Sequence, residues 1–399
     1  MTSLVLESGT GSITQLEAAL LERLQGPFAL GRVKDAVVSL DVEGDEGWTL
    51  YLQDGSLRLG RGLDDDADTT ISTDPSTMVQ ILEGSLSGIE AFVTGNLRVR
   101  GNLALSLRMS GSFPGDGQPA RFPRAGDVRV KNVNTFYIEA GEGPPVLMLH
   151  GLGATNSSML PSLWDLAADH RVIAPDMPGF GDSGKPFRSY DASFFARWAI
   201  GFMDELDLEK VSIVGNSLGG RVALEAGLFA PDRVERLVLL APSPAFIRRR
   251  EWVRIVRVLR PELALLPVPI AHRHVVRSIR GMFSQPNRLP DSWYDAAADE
   301  FLRVFSSARG RISFFSAARQ IYLEEPYGEE GFWDRLAELR TPSLFVWGER
   351  DRVVPARFAK HVEKTLPNAT SMVLEDCGHV PQFELPDRTN SLIRQFIDE

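Results

Sequence analysis

Ser217 stands at the centre of Gly215-Asn216-Ser217-Leu218-Gly219. A serine hydroxyl becomes a nucleophile when a base takes its proton and a carboxylate orients that base. Both partners follow downstream, Asp351 in Gly348-Glu349-Arg350-Asp351 and His379 in Glu375-Asp376-Cys377-Gly378-His379. In this order Ser, Asp and His are the expected nucleophile, orienting acid and base of acyl transfer to water. The tetrahedral intermediate of that reaction needs preorganised backbone N–H groups around its oxyanion. The segment His150-Gly151-Leu152-Gly153-Ala154 is placed to offer one, so the N–H groups of Leu152 and Leu218 are the expected donors. His150, Gly151, Gly215 and Gly219 are expected to support the loops, with His150 bracing rather than reacting. Glu349 and Asp376 compete with Asp351 for the role of acid; Glu349 is expected to face away and Asp376 to cap the turn before His379. Cys377, the only cysteine, reads as a small packing residue because the nucleophile position is already filled.

These residues act together only if regular elements carry them to one place. Val211-Ser212-Ile213-Val214 reads as a buried strand and Gly220-Arg221-Val222-Ala223-Leu224-Glu225-Ala226 as a helix, so Ser217 is expected at the apex of a sharp strand-to-helix turn. Flanking glycines are expected to supply the backbone freedom such a turn demands. Pro145–Leu149, His170–Pro175, Arg236–Leu240, Ser343–Trp347 and Ser371–Leu374 are further short apolar runs. Three of them end just before His150, Asp351 and His379, and the ends of parallel strands are where open α/β sheets gather their chemistry. Asp176-Met177-Pro178-Gly179-Phe180-Gly181-Asp182-Ser183 reads as a tight turn beside the same pocket, with Asp176 capping it.

With these five ordered motifs the chain from about 128 to 399 resembles the α/β-hydrolase superfamily, in the branch with a lid inserted after the sixth strand, here about 243–340. The resemblance implies a mostly parallel eight-stranded sheet flanked by helices, with no cofactor and no metal. Serine rather than aspartate at the elbow argues against the epoxide hydrolase and dehalogenase branches. Gly215 to Gly220 is also close to the pattern of hydrolases that cleave carbon–carbon bonds in ring-fission products. Those enzymes usually carry an aromatic residue after the histidine and a run of glycines after the His-Gly, where this chain has Val380 and Leu152-Gly153-Ala154.

The first third has a different grain. Pro114, Gly115, Gly117, Pro119, Pro123 and Gly126 mark residues 113–127 as a linker. Before it, Leu16, Leu20 and Leu24 fall at helical spacing, and Val37–Val42, Trp48–Gly55, Leu57–Gly60 and Thr69–Ser72 read as a strand meander. Asp74-Pro75 opens a capped helix ending at Gly84, and Gly95–Asn102 with Leu103–Met109 reads as a strand and a final apolar helix. In this order the segments from about Ile13 to Ser112 resemble the sterol-carrier-protein type of lipid-binding domain, in a first domain of residues 1–112. That resemblance implies a five-stranded sheet with helices over a cavity for acyl chains or sterols; apolar residues that merely fill a small α+β core are the alternative.

A length of 399 residues suits two or three domains, and the net charge of −10 argues against broad nucleic-acid binding. One cysteine excludes an internal disulfide. Residues 1–7 lack the basic, apolar pattern of a secretion signal, and the run Leu263–Ile270 is short and broken by Pro267 and Pro269, so no membrane span is expected and a cytoplasmic location is the default. In the lid, Trp252, Ile255, Val256 and Leu259 share one helical face opposite Arg250, Arg254 and Arg257, which reads either as a surface helix or as peripheral contact with an anionic membrane. Trp293, Tyr294, Phe301, Phe305, Phe314 and Phe315 either wall a pocket or pack within the lid. The expected function is hydrolysis of an apolar, lipid-like carboxylic ester. Thioester and carbon–carbon hydrolysis stay open because they use the same groups, and a lipid carrier or scaffold with an inactive hydrolase half is the non-enzymatic reading.

Overall fold

The computed structural model describes residues 4–6, 15–24, 33–54, 56–110, 123–245, 264–265 and 269–399. Two sheets organise them. The first comprises β1 (Leu4–Leu6), β2 (Ala36–Val42), β3 (Trp48–Gln53), β4 (Ser56–Arg61), β5 (Thr69–Thr73) and β6 (Leu97–Gly101), in the spatial order β1-β4-β3-β2-β5-β6. It has six strands where the resemblance implied five, because Leu4–Leu6 adds in parallel to the edge strand β4. Val38, Leu40 and Val42 alternate into the core as the period of a strand requires. The helix Pro75–Glu83 starts where expected: the Asp74 carboxylate accepts the Thr77 N–H at 3.0 Å, and Gly84 closes the helix at φ 74°. Helices Gln15–Leu24, Gly88–Thr94 and Leu103–Ser110 complete this α+β unit.

The second sheet comprises β7 (Arg124–Val130), β8 (Val133–Ala140), β9 (Pro145–Leu149), β10 (Arg171–Pro175), β11 (Val211–Asn216), β12 (Val234–Leu240), β13 (Ser343–Gly348) and β14 (Thr370–Leu374). Their order is β14-β13-β12-β11-β9-β10-β8-β7, and β9 to β14 run parallel. Leu147, Leu149, Ile213, Val214 and Leu237–Leu240 are fully buried, as strands covered on both faces must be. The register sets Gly215 beside both Leu149 and Leu239, and Gly348 beside Leu374, so the chain leaves these strands at one edge. The strand order reverses between β9 and β11, the switch point where an open sheet leaves a crevice.

The linker is shorter than 113–127. Arg124–Asp127 already belong to β7 and pair with β8. Gly126, read as a linker glycine, lies opposite Tyr137 on the neighbouring strand, and any Cβ there would collide with the Tyr137 ring. Between β12 and β13 the lid contributes helices His272–Arg280, Asp291–Ser306, Ala308–Leu323 and Phe332–Leu336. The basic amphipathic segment 250–259 lies outside the described residues, and with it the expected membrane contact. Among the described residues no helix is long and apolar enough to cross a membrane.

The lid helix Asp291–Ser306 is also the dock for the first unit. Arg100 Nε and the Gly101 N–H donate to the Asp299 carboxylate at 2.7 and 3.1 Å, and the Trp293 indole donates to the Phe92 carbonyl at 2.9 Å. Buried Arg108 bridges the same units, donating to Asp127 at 2.7 Å with Asp182 at 3.5 Å.

Candidate active site

β11 delivers Ser217 at φ 53° and ψ −112°, the strained geometry that turns a strand directly into the helix Leu218–Phe229. Its backbone is held on both sides: the Ser217 N–H donates to Leu240 O at 2.9 Å, and its carbonyl accepts from Ser243 N at 3.0 Å and Arg221 N at 3.1 Å. The neighbouring glycines serve a purpose other than the expected one. Neither Gly215 nor Gly219 has positive φ; the serine itself carries the strain. What the glycines provide is room, since a Cβ on Gly215 would strike the carbonyl of Gly219, and one on Gly219 would strike the carbonyl of Leu149.

His379 Nδ1 and Asp351 Oδ2 are hydrogen-bonded at 2.7 Å, and both residues are buried. The other carboxylate oxygen, Oδ1, accepts the N–H groups of Val353 and Val354 at 2.7 and 2.8 Å. A donor on each side fixes the carboxylate, and the carboxylate fixes the ring with its proton on Nδ1. The His379 backbone is clamped as well: its N–H donates to Met282 O of the lid at 2.7 Å, and its carbonyl accepts from Asn216 Nδ2 at 3.2 Å. The residue before the serine therefore braces the histidine.

Gly151 passes close to the elbow, with its Cβ direction 3.4 Å from Ser217 Cβ. Leu152 follows it on the cavity wall, and Leu218 opens its helix, where a backbone N–H has no acceptor inside the helix. His150 is fully buried and does not line that cavity. Its Nδ1 is bonded to Gly151 O at 2.8 Å, and its Nε2 accepts the Met177 N–H at 2.9 Å, which requires a neutral ring; burial pushes its pKa down to about 4. Asp176 ties the turn to the 150s loop by accepting from Asn156 N and Asp182 N, both at 2.8 Å. Burial raises its carboxyl to about 7 despite those donors.

These two groups give stability opposite pH slopes. An unfolded chain protonates His150 below about 6.5 while the folded one resists until about 4, so this group withdraws up to about 3 kcal/mol as pH falls through that window. Asp176, raised in the folded state, does the reverse and withdraws stability as pH rises toward 7. His150→Gln removes only the first slope. In urea denaturation the lead of the unsubstituted chain over this variant is expected to narrow from about pH 7 to about pH 4.5; a constant gap would mean that the imidazole is not held neutral by burial.

The competing carboxylates are elsewhere. Asp376 pairs with Arg350 at 2.7 Å, and Glu349 is exposed with an oxygen 3.4 Å from Asp376 N. Cys377 is fully buried, and burial pushes its thiol up to about 12, far from a thiolate.

Ser217, His379, Gly151 and Leu152 all open on one cavity of about 630 Å³. Trp293, Tyr294, Phe301, Phe305, Phe314 and Phe315 wall it, so the lid aromatics face the site. Among its described lining residues there is no Lys or Arg, and Glu300 is the one carboxylate. Glu300 is neutralised by Arg303 at 2.7 Å, which also reaches Asp182 at 2.8 Å. Three contributions had no local sequence signal: the Met282 carbonyl, Glu300, and Phe92 with Leu103, which reach the wall from the first unit. Among the described residues no group of three or more His, Cys, Asp or Glu side chains is arranged to hold a metal ion.

Residues 144–386 match the family model described as alpha/beta hydrolase fold, and residues 13–114 match that of the SCP-2 sterol transfer family. An uncharacterised protein of Mycobacterium tuberculosis is 30% identical over 278 residues, covering 65% of this chain and 76% of that one. A 2-hydroxymuconate semialdehyde hydrolase of Pseudomonas sp. (strain CF600) is 28% identical over 70% of this chain and 96% of its own. The solved structure of a membrane phospholipase A, described as a bacterial virulence factor, superposes with a TM-score of 0.58 at 27% identity, covering 69% of this chain and 86% of that one.

Proposed function

Because the chain belongs to the alpha/beta hydrolase fold family and carries an SCP-2 sterol transfer domain ahead of it, we propose that it is a serine hydrolase of an apolar, uncharged carboxylic ester. Ser217 attacks the carbonyl carbon while His379 takes its proton. Asp351 holds the ring and stabilises the imidazolium, and the N–H groups of Leu152 and Leu218 receive the oxyanion. The imidazolium then protonates the leaving alcohol, and water, deprotonated by His379, releases the acid from the acyl-enzyme.

The observation that carries the ester reading is the cavity itself: a space of about 630 Å³ with an aromatic wall and no Lys or Arg among its described lining residues. Carbon–carbon hydrolysis is favoured by the similarity to the 2-hydroxymuconate semialdehyde hydrolase, whose substrate is by name a carboxylate. A carboxylate brought into this cavity would meet Glu300 and no Lys or Arg of the described wall, with His274 and His379 as its basic side chains, and a buried charge without a permanent cation beside it is costly.

The full chain is expected to react with a fluorophosphonate probe at Ser217 and to hydrolyse p-nitrophenyl butyrate and octanoate faster than it cleaves 2-hydroxymuconate semialdehyde. The opposite ranking would make the carbon–carbon reading the better one. Absence of any labelling would point to a carrier with an inactive hydrolase half.

A further inference from the structure

The first unit holds a second cavity, of only about 70 Å³, bounded by apolar side chains including Ile71, Met78, Leu82 and Val99. By the same measure it is about nine times smaller than the catalytic cavity. Phe92 and Leu103 line both this cavity and the catalytic one. Two side chains therefore separate the apolar interior of the first unit from the pocket that contains Ser217.

The partition is tied to the site. The Phe92 ring stacks on Trp293 with centroids 5.7 Å apart and planes 8° from parallel, and Trp293 meets Phe383 edge-on at 4.6 Å. Phe383 follows His379 by four residues and lines the catalytic cavity. Phe92 sits in the short helix Gly88–Thr94, and Leu103 is the first residue of the helix Leu103–Ser110.

We propose that Phe92 and Leu103 form a septum that sets acyl-chain length, with the interior of the first unit as the far subsite of the catalytic pocket. Short acyl groups bind within the hydrolase cavity alone; the tail of a long one displaces the Phe92 ring and enters between Met78, Leu82 and Val99. The inference rests on the serine-esterase reading above and adds to it where the acyl tail goes.

The test compares kcat/KM of the full chain, Phe92→Ala and Leu103→Ala on p-nitrophenyl butyrate, octanoate, laurate and palmitate. Each methylene that gains apolar contact is worth about fourfold, so opening the septum is expected to raise the laurate-to-butyrate ratio of kcat/KM by at least about tenfold, whatever the change in butyrate turnover itself. A uniform fall for all esters, the signature of a merely structural role, overturns the septum. Should the variants fail to fold, the unsubstituted chain decides: a palmitoyl-length alkyl fluorophosphonate with a terminal diazirine, bound at Ser217, is expected to crosslink within residues 78–103. Crosslinking confined to the lid overturns the proposal while leaving the esterase reading intact; no labelling and no butyrate turnover overturns both.

Discussion

Ser217→Ala is expected to lower ester hydrolysis by about 10⁴-fold or more and to leave the fold in place. The substitution keeps Cβ and with it the backbone at φ 53°, and the bonds that hold the elbow, from Ser217 N to Leu240 O and from Ser243 N to Ser217 O, are main-chain and unaffected. Only Oγ is lost, and with it the covalent path; what remains is water attack helped by the oxyanion donors. Single-turnover kinetics with p-nitrophenyl butyrate and a thermal melt measure the two halves of the expectation separately. Hydrolysis surviving within tenfold, with a native melt, would place the nucleophile elsewhere.

Asp351→Asn is expected to cost about 10³- to 10⁴-fold in kcat, for a reason visible in the bonding of the carboxylate. Oδ1 accepts two backbone N–H groups, from Val353 and Val354, while Oδ2 faces His379 Nδ1. An asparagine satisfies those two donors only by turning its oxygen to them, which aims its NH₂ at Nδ1. The ring must then carry its proton on Nε2, where it can no longer accept one from serine. The opposite rotamer leaves two buried N–H groups facing an NH₂, so stability is expected to select the inactive tautomer. The rate of fluorophosphonate labelling at Ser217 should fall in parallel with kcat. Labelling at the unsubstituted rate would show that Asp351 does not set the state of the histidine.

Much of the site was legible because each of its parts is encoded locally. A buried strand, a small-residue turn and a helix can be read from a dozen residues around Ser217, and the strand ends before His150, Asp351 and His379 are equally short-range signals. The capped helix Pro75–Glu83 was legible for the same reason, its Asp74, Pro75 and Gly84 each answering a need of the helix terminus itself. Errors arose where meaning depended on a neighbour distant in sequence. Gly126 reads as linker until Tyr137 is laid across it, and Gly215 and Gly219 read as flexible until each is seen to need room for another carbonyl.

The order of motifs alone was enough to specify the two families and the strand-end placement of Ser217, Asp351 and His379, because those follow from local periodicity and from chemistry that admits few residue types. The tertiary structure alone decided how the two units meet and what the pocket is made of. Phe92 and Leu103 lie more than a hundred residues before Ser217, and nothing in their local pattern distinguishes a core side chain from one that forms the wall of another unit's cavity. That distinction arises only when the lid helix Asp291–Ser306 accepts Arg100, Gly101 and Phe92 as partners. Burial of an apolar side chain is favourable against any apolar surface, so its chemistry alone cannot say which surface it meets.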